Sequence, residues 1–175
     1  MKNRLVILLG LFATCASAQV AIGKTSVSSP SVSLEFYDGA DNTRAIILPW
    51  VKSADEVSSA TNGTLIFDSN DKIVKFKTAS GWSSLSRENR GAVDVSLQSN
   101  LTEKAEAKTM IGGNPSTDTT PGILVLGDTN KAMVLPKVAK PHLTIVNPEP
   151  GTLVFDTESK QLAVFNGLEW SFWRP

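Results

Sequence analysis

Apolar and polar positions in this chain alternate mostly at a spacing of two. In the stretch GTLIFDSNDKIVKFKTASGW, Gly63 to Trp82, Leu65 and Phe67 fall on one face and Thr64, Ile66 and Asp68 on the other. That is the alternation of a half-buried strand. The polar run Asp68-Ser69-Asn70-Asp71 then reverses the chain, and Val74 and Phe76 resume the pattern. A short third run ending at Trp82 completes a predicted three-strand meander. The chain writes this stretch twice, the second time as GTLVFDTESKQLAVFNGLEW from Gly151 to Trp170, 88 residues further on. Seven of the twenty positions are identical: Gly63, Thr64, Leu65, Phe67, Asp68, Lys72 and Trp82. An internal repeat constrains architecture before any single element does. In the second copy Asn166-Gly167 adds a strong two-residue hairpin signal.

The repeat extends upstream. Leu34 and Phe36 alternate with Ser33, Glu35 and Tyr37, Asp38 to Asn42 carries turn chemistry, and Ala45 to Leu48 is an apolar run stopped by Pro49. This predicts a hairpin. Gly122 to Val138 supplies its partner: Arg44, Ala45, Leu48, Pro49 and Val51 correspond to Lys131, Ala132, Leu135, Pro136 and Val138, at a spacing of 87. Still earlier, Ile22-Gly23 answers Ile111-Gly112. The connectors differ in kind. Ser53-Ala54-Asp55-Glu56 is a capping-box pattern able to start one short helical turn, whereas Pro141, Pro148 and Pro150 forbid a helix in its counterpart. The polar stretch Ser83 to Met110 contains LTEKAEAKTM, whose helix formers follow Asn100 as a cap, so a brief helix is expected there.

The expected fold is therefore mainly β: two tandem copies of a hairpin plus a three-strand meander, with a short helical spacer between them. The units fall at residues 19–82 and 111–175, with the spacer at 83–110. A three-strand block buries one face and is insecure alone. The copies must therefore cover each other or a neighbouring chain.

Residues 1–18 change how the composition is read. Lys2 and Arg4 precede an apolar run, Leu5 to Ala13, far short of the roughly 20 residues of a membrane-spanning helix, and Ala16-Ser17-Ala18 fits signal-peptidase cleavage. The expected product is an exported chain beginning at Gln19, at the cell surface, outside the cell or in the periplasm, with no membrane span. Cys15, the only cysteine, leaves with that segment, so no disulfide is expected to staple the exported chain. Charge is balanced at 17 basic and 17 acidic residues. Without a Lys/Arg cluster the electrostatic footprint of a nucleic-acid binder is missing.

Candidate chemistry is sparse. His142 is the sole histidine and reads as a packed connector residue rather than a zinc ligand or triad base. The acidic turn Asp68 to Asp71 lacks the ligand pattern of a calcium loop, and turn capping by Asp68 and Asp156 is the simpler reading. No Gly-rich phosphate loop or catalytic motif is present, so the chain reads as non-enzymatic and without cofactor or metal. Trp82 and Trp170 recur at equivalent positions and read as structural. Trp50, whose counterpart is Lys137, and Trp173, near the chain end, are the candidate ligand-binding residues, suited to stacking on a glycan or peptide.

The order AQVAIG, a Ser/Pro stretch, Leu34-Glu35-Phe36, Ala45 to Pro49, then Gly63 to Asp68 through Gly81-Trp82 resembles secreted repeat proteins of Bacteroidetes. Gly151 to Phe155 and Asn166-Gly167-Leu168-Glu169-Trp170 stand close to that group's closing block. Ala21 and Lys24 depart from its opening motif, and Trp50 stands where a basic residue is usual. The resemblance implies a cell-surface or fibre module similar to trimeric tail-fibre and adhesin heads. Asp118-Thr119-Thr120 also resembles the short O-glycosylation motif of that phylum. The function expected from residues and resemblance together is a structural or adhesive surface module that self-associates as a homotrimer. The alternative is a monomeric module that binds a surface glycan or protein through Trp50 and Trp173.

Overall fold

The computed structural model describes residues 19–96, 98–104 and 106–174; the expected signal peptide, 1–18, lies outside the described residues. The chain is mainly β, and the order of its elements repeats. The first series runs β1 (Val20–Ile22), β2 (Val32–Phe36), β3 (Ile46–Ile47), β4 (Trp50–Val51), a 3-10 turn (Ala54–Glu56), β5 (Leu65–Asp68), β6 (Ile73–Thr78) and β7 (Gly81–Ser84). The second runs β8 (Thr109–Ile111), β9 (Leu124–Leu126), β10 (Ala132–Val134), β11 (Lys137–Val138), helix α1 (Pro141–Thr144), β12 (Thr152–Asp156), β13 (Gln161–Phe165) and β14 (Trp170–Trp173).

The two meanders form as the alternation predicts. Strands β5, β6 and β7 pair antiparallel, with Leu65 opposite Phe76 and Lys77 opposite Trp82. Strands β12, β13 and β14 do the same, with Leu153 opposite Val164 and Phe165 opposite Trp170. In each copy the strand before the connector adds in parallel: Trp50 lies opposite Phe67, and Lys137 opposite Phe155. The turn between the first two meander strands explains the shared lysine. Lys72 and Lys160 both adopt left-handed backbone, φ 60° and 56°, and the Lys72 N–H donates to Asp68 O at 2.7 Å. Gly63 and Gly151 open the meanders at φ 87° and 82°, a conformation only glycine enters without strain.

Three expectations are corrected. The predicted hairpin of residues 34–48 does not form. Both edges of β2 are taken in parallel, by β1 (Val20 opposite Leu34) and by β10 of the second repeat (Met133 opposite Leu34), while β3 crosses to β12 (Ile47 opposite Thr152, Ile46 opposite Leu153). The polar turn is closed by Asn42, whose side-chain amide donates to Tyr37 O and, across the repeats, to Lys137 O. The spacer helix is also missing among the described residues of 101–108, because so short a segment without a packed face does not sustain helix nucleation. The helix stands instead at Pro141, where a proline was expected to prevent it. Pro141 occupies the first helical position, where the missing N–H has no partner to lose. In the first copy Ser53 caps the 3-10 turn as its sequence suggests, accepting from the Asp55 N–H.

The largest core cluster joins the copies: Leu48, Phe67 and Val74 pack with Leu153 and Val164, flanked by Leu65, Leu135 and Leu162. Val138, Val154 and Ala163 form a second cluster against Trp170 and Phe172. The segment after Trp82 is bound more tightly than a spacer. Strand β7 runs on to Ser84, Leu85 and Val93 reach the joint core, and the buried Asn166 amide donates to Glu88 O at 3.1 Å.

Candidate functional site

The two candidate tryptophans occupy different settings. Trp50 is half-buried on β4, tilted against Phe67 at 6.3 Å between ring centroids, and its indole N–H donates to Pro150 O of the second repeat at 2.6 Å. It fastens the copies together. Trp173 is 42% exposed on β14, and its indole N–H donates to Leu85 O. No ring contact joins the two among the described residues. Trp82 and Trp170 are both half-buried. Lys77 Nζ stands 5.6 Å from the ring centroid of Trp82, and Trp170 packs on Phe165 and Phe172. His142 is exposed on α1 and meets Phe172 edge-on at 5.6 Å. Thr119 is exposed, beside Asp118, which accepts from Lys108 Nζ at 3.0 Å and the Thr120 N–H at 2.8 Å.

The buried carboxylates are structural ties. Asp68 Oδ1 accepts the Asn70 and Asp71 N–H groups, while Oδ2 accepts the Ala54 N–H at 2.9 Å and Lys75 Nζ at 2.7 Å. Burial pushes this carboxyl up, but the Asp71 N–H, the Lys75 ammonium and the Ala54 N–H outweigh it and hold it below its ordinary value. Asp156 repeats the device with the Lys140 and Glu158 N–H groups and the Ser159 hydroxyl. Burial raises it too, and these donors hold it low. Glu35, fully buried on β2, accepts from the Ser28 N–H at 2.6 Å and Lys24 Nζ at 3.1 Å. Its burial is likewise outweighed by Ser28 and Lys24. Each carboxylate is saturated by donors of its own chain, which suits turn and strand fixation. Among the described residues no group of three or more His, Cys, Asp or Glu is placed to hold a metal ion.

What remains open is sheet edge and apolar surface. A shallow pocket of about 320 Å³ is lined by Met133, Val134, Leu135, Lys137 and Phe155. The equivalent residues of the first repeat are Ile46, Ile47, Leu48, Trp50 and Phe67, and there the second repeat fills the space: Leu48 is 6% exposed and Phe67 fully buried, whereas Leu135 and Phe155 are only half-buried. Among the described residues strand β10 pairs with β2 alone, and β9 with β8 alone. At the start of β9, Ile123 and Leu124 are 62% and 49% exposed. In the first repeat, β4 covers only Phe67 and Asp68 of β5, so the edge at Thr64 and Leu65 has no strand beside it among the described residues. Sequence reasoning did not find this surface. The unequal burial of equivalent residues identifies it, and a repeat seen only as a string gives both copies the same weight.

Residues 112–174, which run from just after β8 through β14, match the family model of a phage tail like trimerisation region. The match covers a little over a third of the chain and falls on the second repeat. It bears on the tail-fibre-like, trimeric likeness. No curated protein and no solved structure matches the chain. No described helix is long and apolar enough to cross a membrane.

Proposed function

We propose that the chain is an exported, non-enzymatic structural or adhesive module of a cell surface or fibre, assembled as a homotrimer. The observation that carries this is the match of residues 112–174 to a trimerisation region, on a repeat whose strand edges and apolar pocket stand open. The physics agrees. Exposed strand edges are completed most cheaply by an identical neighbour, and closed symmetric rings are the usual result. Export rests on the segment ending Ala16-Ser17-Ala18, and the surface setting rests on the likeness to secreted Bacteroidetes repeat proteins. The saturated carboxylates and lone histidine support a non-catalytic role.

The test is the native mass of the exported chain by size exclusion with light scattering at two concentrations. A mass of three chains that survives tenfold dilution supports the reading. A single-chain mass at both concentrations refutes it.

The exposed indole of Trp173 favours a second reading, a glycan- or peptide-binding module. In it Trp173→Ala removes binding in a glycan and peptide screen and, with the residue 42% exposed, costs the fold little beyond its hydrogen bond to Leu85 O. Trp50→Ala is a poorer probe, because it also cuts the tie to Pro150.

A further inference from the structure

The contact between the two repeats is one-sided, and its unused halves match each other. Within the chain, the third strand of the first repeat, β3, pairs antiparallel with the fifth strand of the second, β12. Leu48 N donates to Gly151 O at 3.0 Å, and Ile47 stands opposite Thr152. The corresponding strand of the second repeat, β10, has that edge free: Ala132 N donates to Ser31 O toward β2, so strand alternation turns the backbone groups of Met133 and Leu135 the other way. The fifth strand of the first repeat, β5, has no strand beside its complementary edge at Thr64 and Leu65 among the described residues. Beside that edge Thr64 and Leu65 are only half-buried, while their counterparts Thr152 and Leu153 are 2% and 1% exposed.

We propose that in the assembly β10 of one chain pairs with β5 of a second copy in the register β3 uses with β12, setting Val134 opposite Thr64 and Met133 opposite Leu65. The proposal deepens the self-association reading and rests on it. The occupant of the Met133–Phe155 pocket is then the Gly63–Leu65 edge of the second copy, just as Gly151 to Leu153 covers Phe67. Gly151 shows the closeness of this fit: a Cβ there would lie 3.1 Å from Phe67 Cβ. The same placement supplies the other open edge. Strand β2 takes β10 on its outer side, so β9 takes β3 of the second copy. Ile123 and Leu124 are covered as a result. Two strand pairings form per junction, both between unlike surfaces, so the contact is head-to-tail, and the homotrimer reading requires it to close after three copies.

Ile47 and Thr152 lie between the hydrogen-bonded pairs of their ladder, where facing Cα atoms come to roughly 4.5 Å and a disulfide fits without moving the backbone. The same holds for Val134 and Thr64 across the proposed junction. The experiment uses the full chain carrying Cys15→Ser, with Thr64→Cys and Val134→Cys placed on separate chains, co-expressed and mildly oxidised. The expected result is a disulfide-linked chain pair in the co-expressed sample that is missing when either variant is made alone. Ile47→Cys with Thr152→Cys in one chain serves as control, giving a disulfide that leaves the denatured mass at one chain. Linkage of Thr64→Cys to Ile47→Cys of another chain, in place of Val134→Cys, would show like repeats pairing with like and overturns the proposal. So does an assembled native mass with no linkage at either pair. A single-chain native mass removes the self-association reading itself, and the two failures are thereby distinguished.

Discussion

Replacing Asn166 by alanine removes three hydrogen bonds at a site with no solvent exposure. Asn166 Oδ1 accepts the Leu168 N–H at 3.0 Å and the Glu169 N–H at 2.8 Å, and its side-chain amide donates to Glu88 O at 3.1 Å. At about 0.5–1.5 kcal/mol net per bond the three together come to roughly 1.5–4.5 kcal/mol. Asn166→Asp separates the contributions. It keeps the two acceptor bonds that shape the turn, and it faces a carboxylate toward the Glu88 carbonyl. An unsatisfied buried carbonyl costs about 1–3 kcal/mol, and the charge adds to that. Urea unfolding followed by tryptophan fluorescence at one fixed chain concentration reads the result. With a slope of about 1–3 kcal/mol per molar, a loss of 2 kcal/mol lowers the midpoint by roughly 1 M. The introduced carboxyl is destabilised when ionised in the folded chain, so its folded pKa lies above its unfolded one. The deficit relative to the parent should therefore shrink as pH falls toward about 4 and the protonated acid donates to Glu88 O. If Asn166→Asp unfolds with the parent at neutral pH, or its deficit ignores pH, residues 85–93 are not tied to the second meander as described.

Acid should unfold the chain through Asp68 and Asp156. Both are held below the ordinary 3.8 in the folded state, so their stabilisation is complete above that value and lost as pH falls below it. Thermal midpoints measured down a pH series should drop below about pH 4, and Asp68→Asn with Asp156→Asn should flatten that limb while lowering the neutral midpoint. Phe67→Ala empties the core shared by the repeats and should cost about 3–5 kcal/mol by urea unfolding; a cost under 1 kcal/mol would mean the repeats do not share that core. Lys160→Gly relieves a left-handed residue at φ 56° and should raise stability by up to about 1 kcal/mol. A loss there would mean the lysine side chain contributes more than its backbone costs.

The local parts of this fold are written in the sequence. Period-two alternation at Leu65–Asp68 and Gln161–Phe165, with short turns between, fixes both meanders, because each strand pairs with its neighbour in the chain. Asp68 and Asp156 are legible as turn residues for the same reason. Long-range pairing is not. Whether Val32–Phe36 turns back on Ile46–Ile47 or lies parallel to Ala132–Val134 depends on which edge buries more apolar surface, and both choices satisfy the same alternation. Pro141 starting a helix, and the described residues of 101–108 failing to form one, follow from packing that propensity does not record. Trp50 illustrates the limit on site prediction. Its sequence setting offered a free aromatic surface, and the tertiary structure spends it on Pro150 and Phe67 at the junction of the repeats. The duplication itself, and so the like shape of the two units, is a property of the sequence. That each unit keeps one edge open, β5 in the first and β10 in the second, is a property of the tertiary structure alone, because two like units joined head-to-tail bury only one of the two surfaces that each carries.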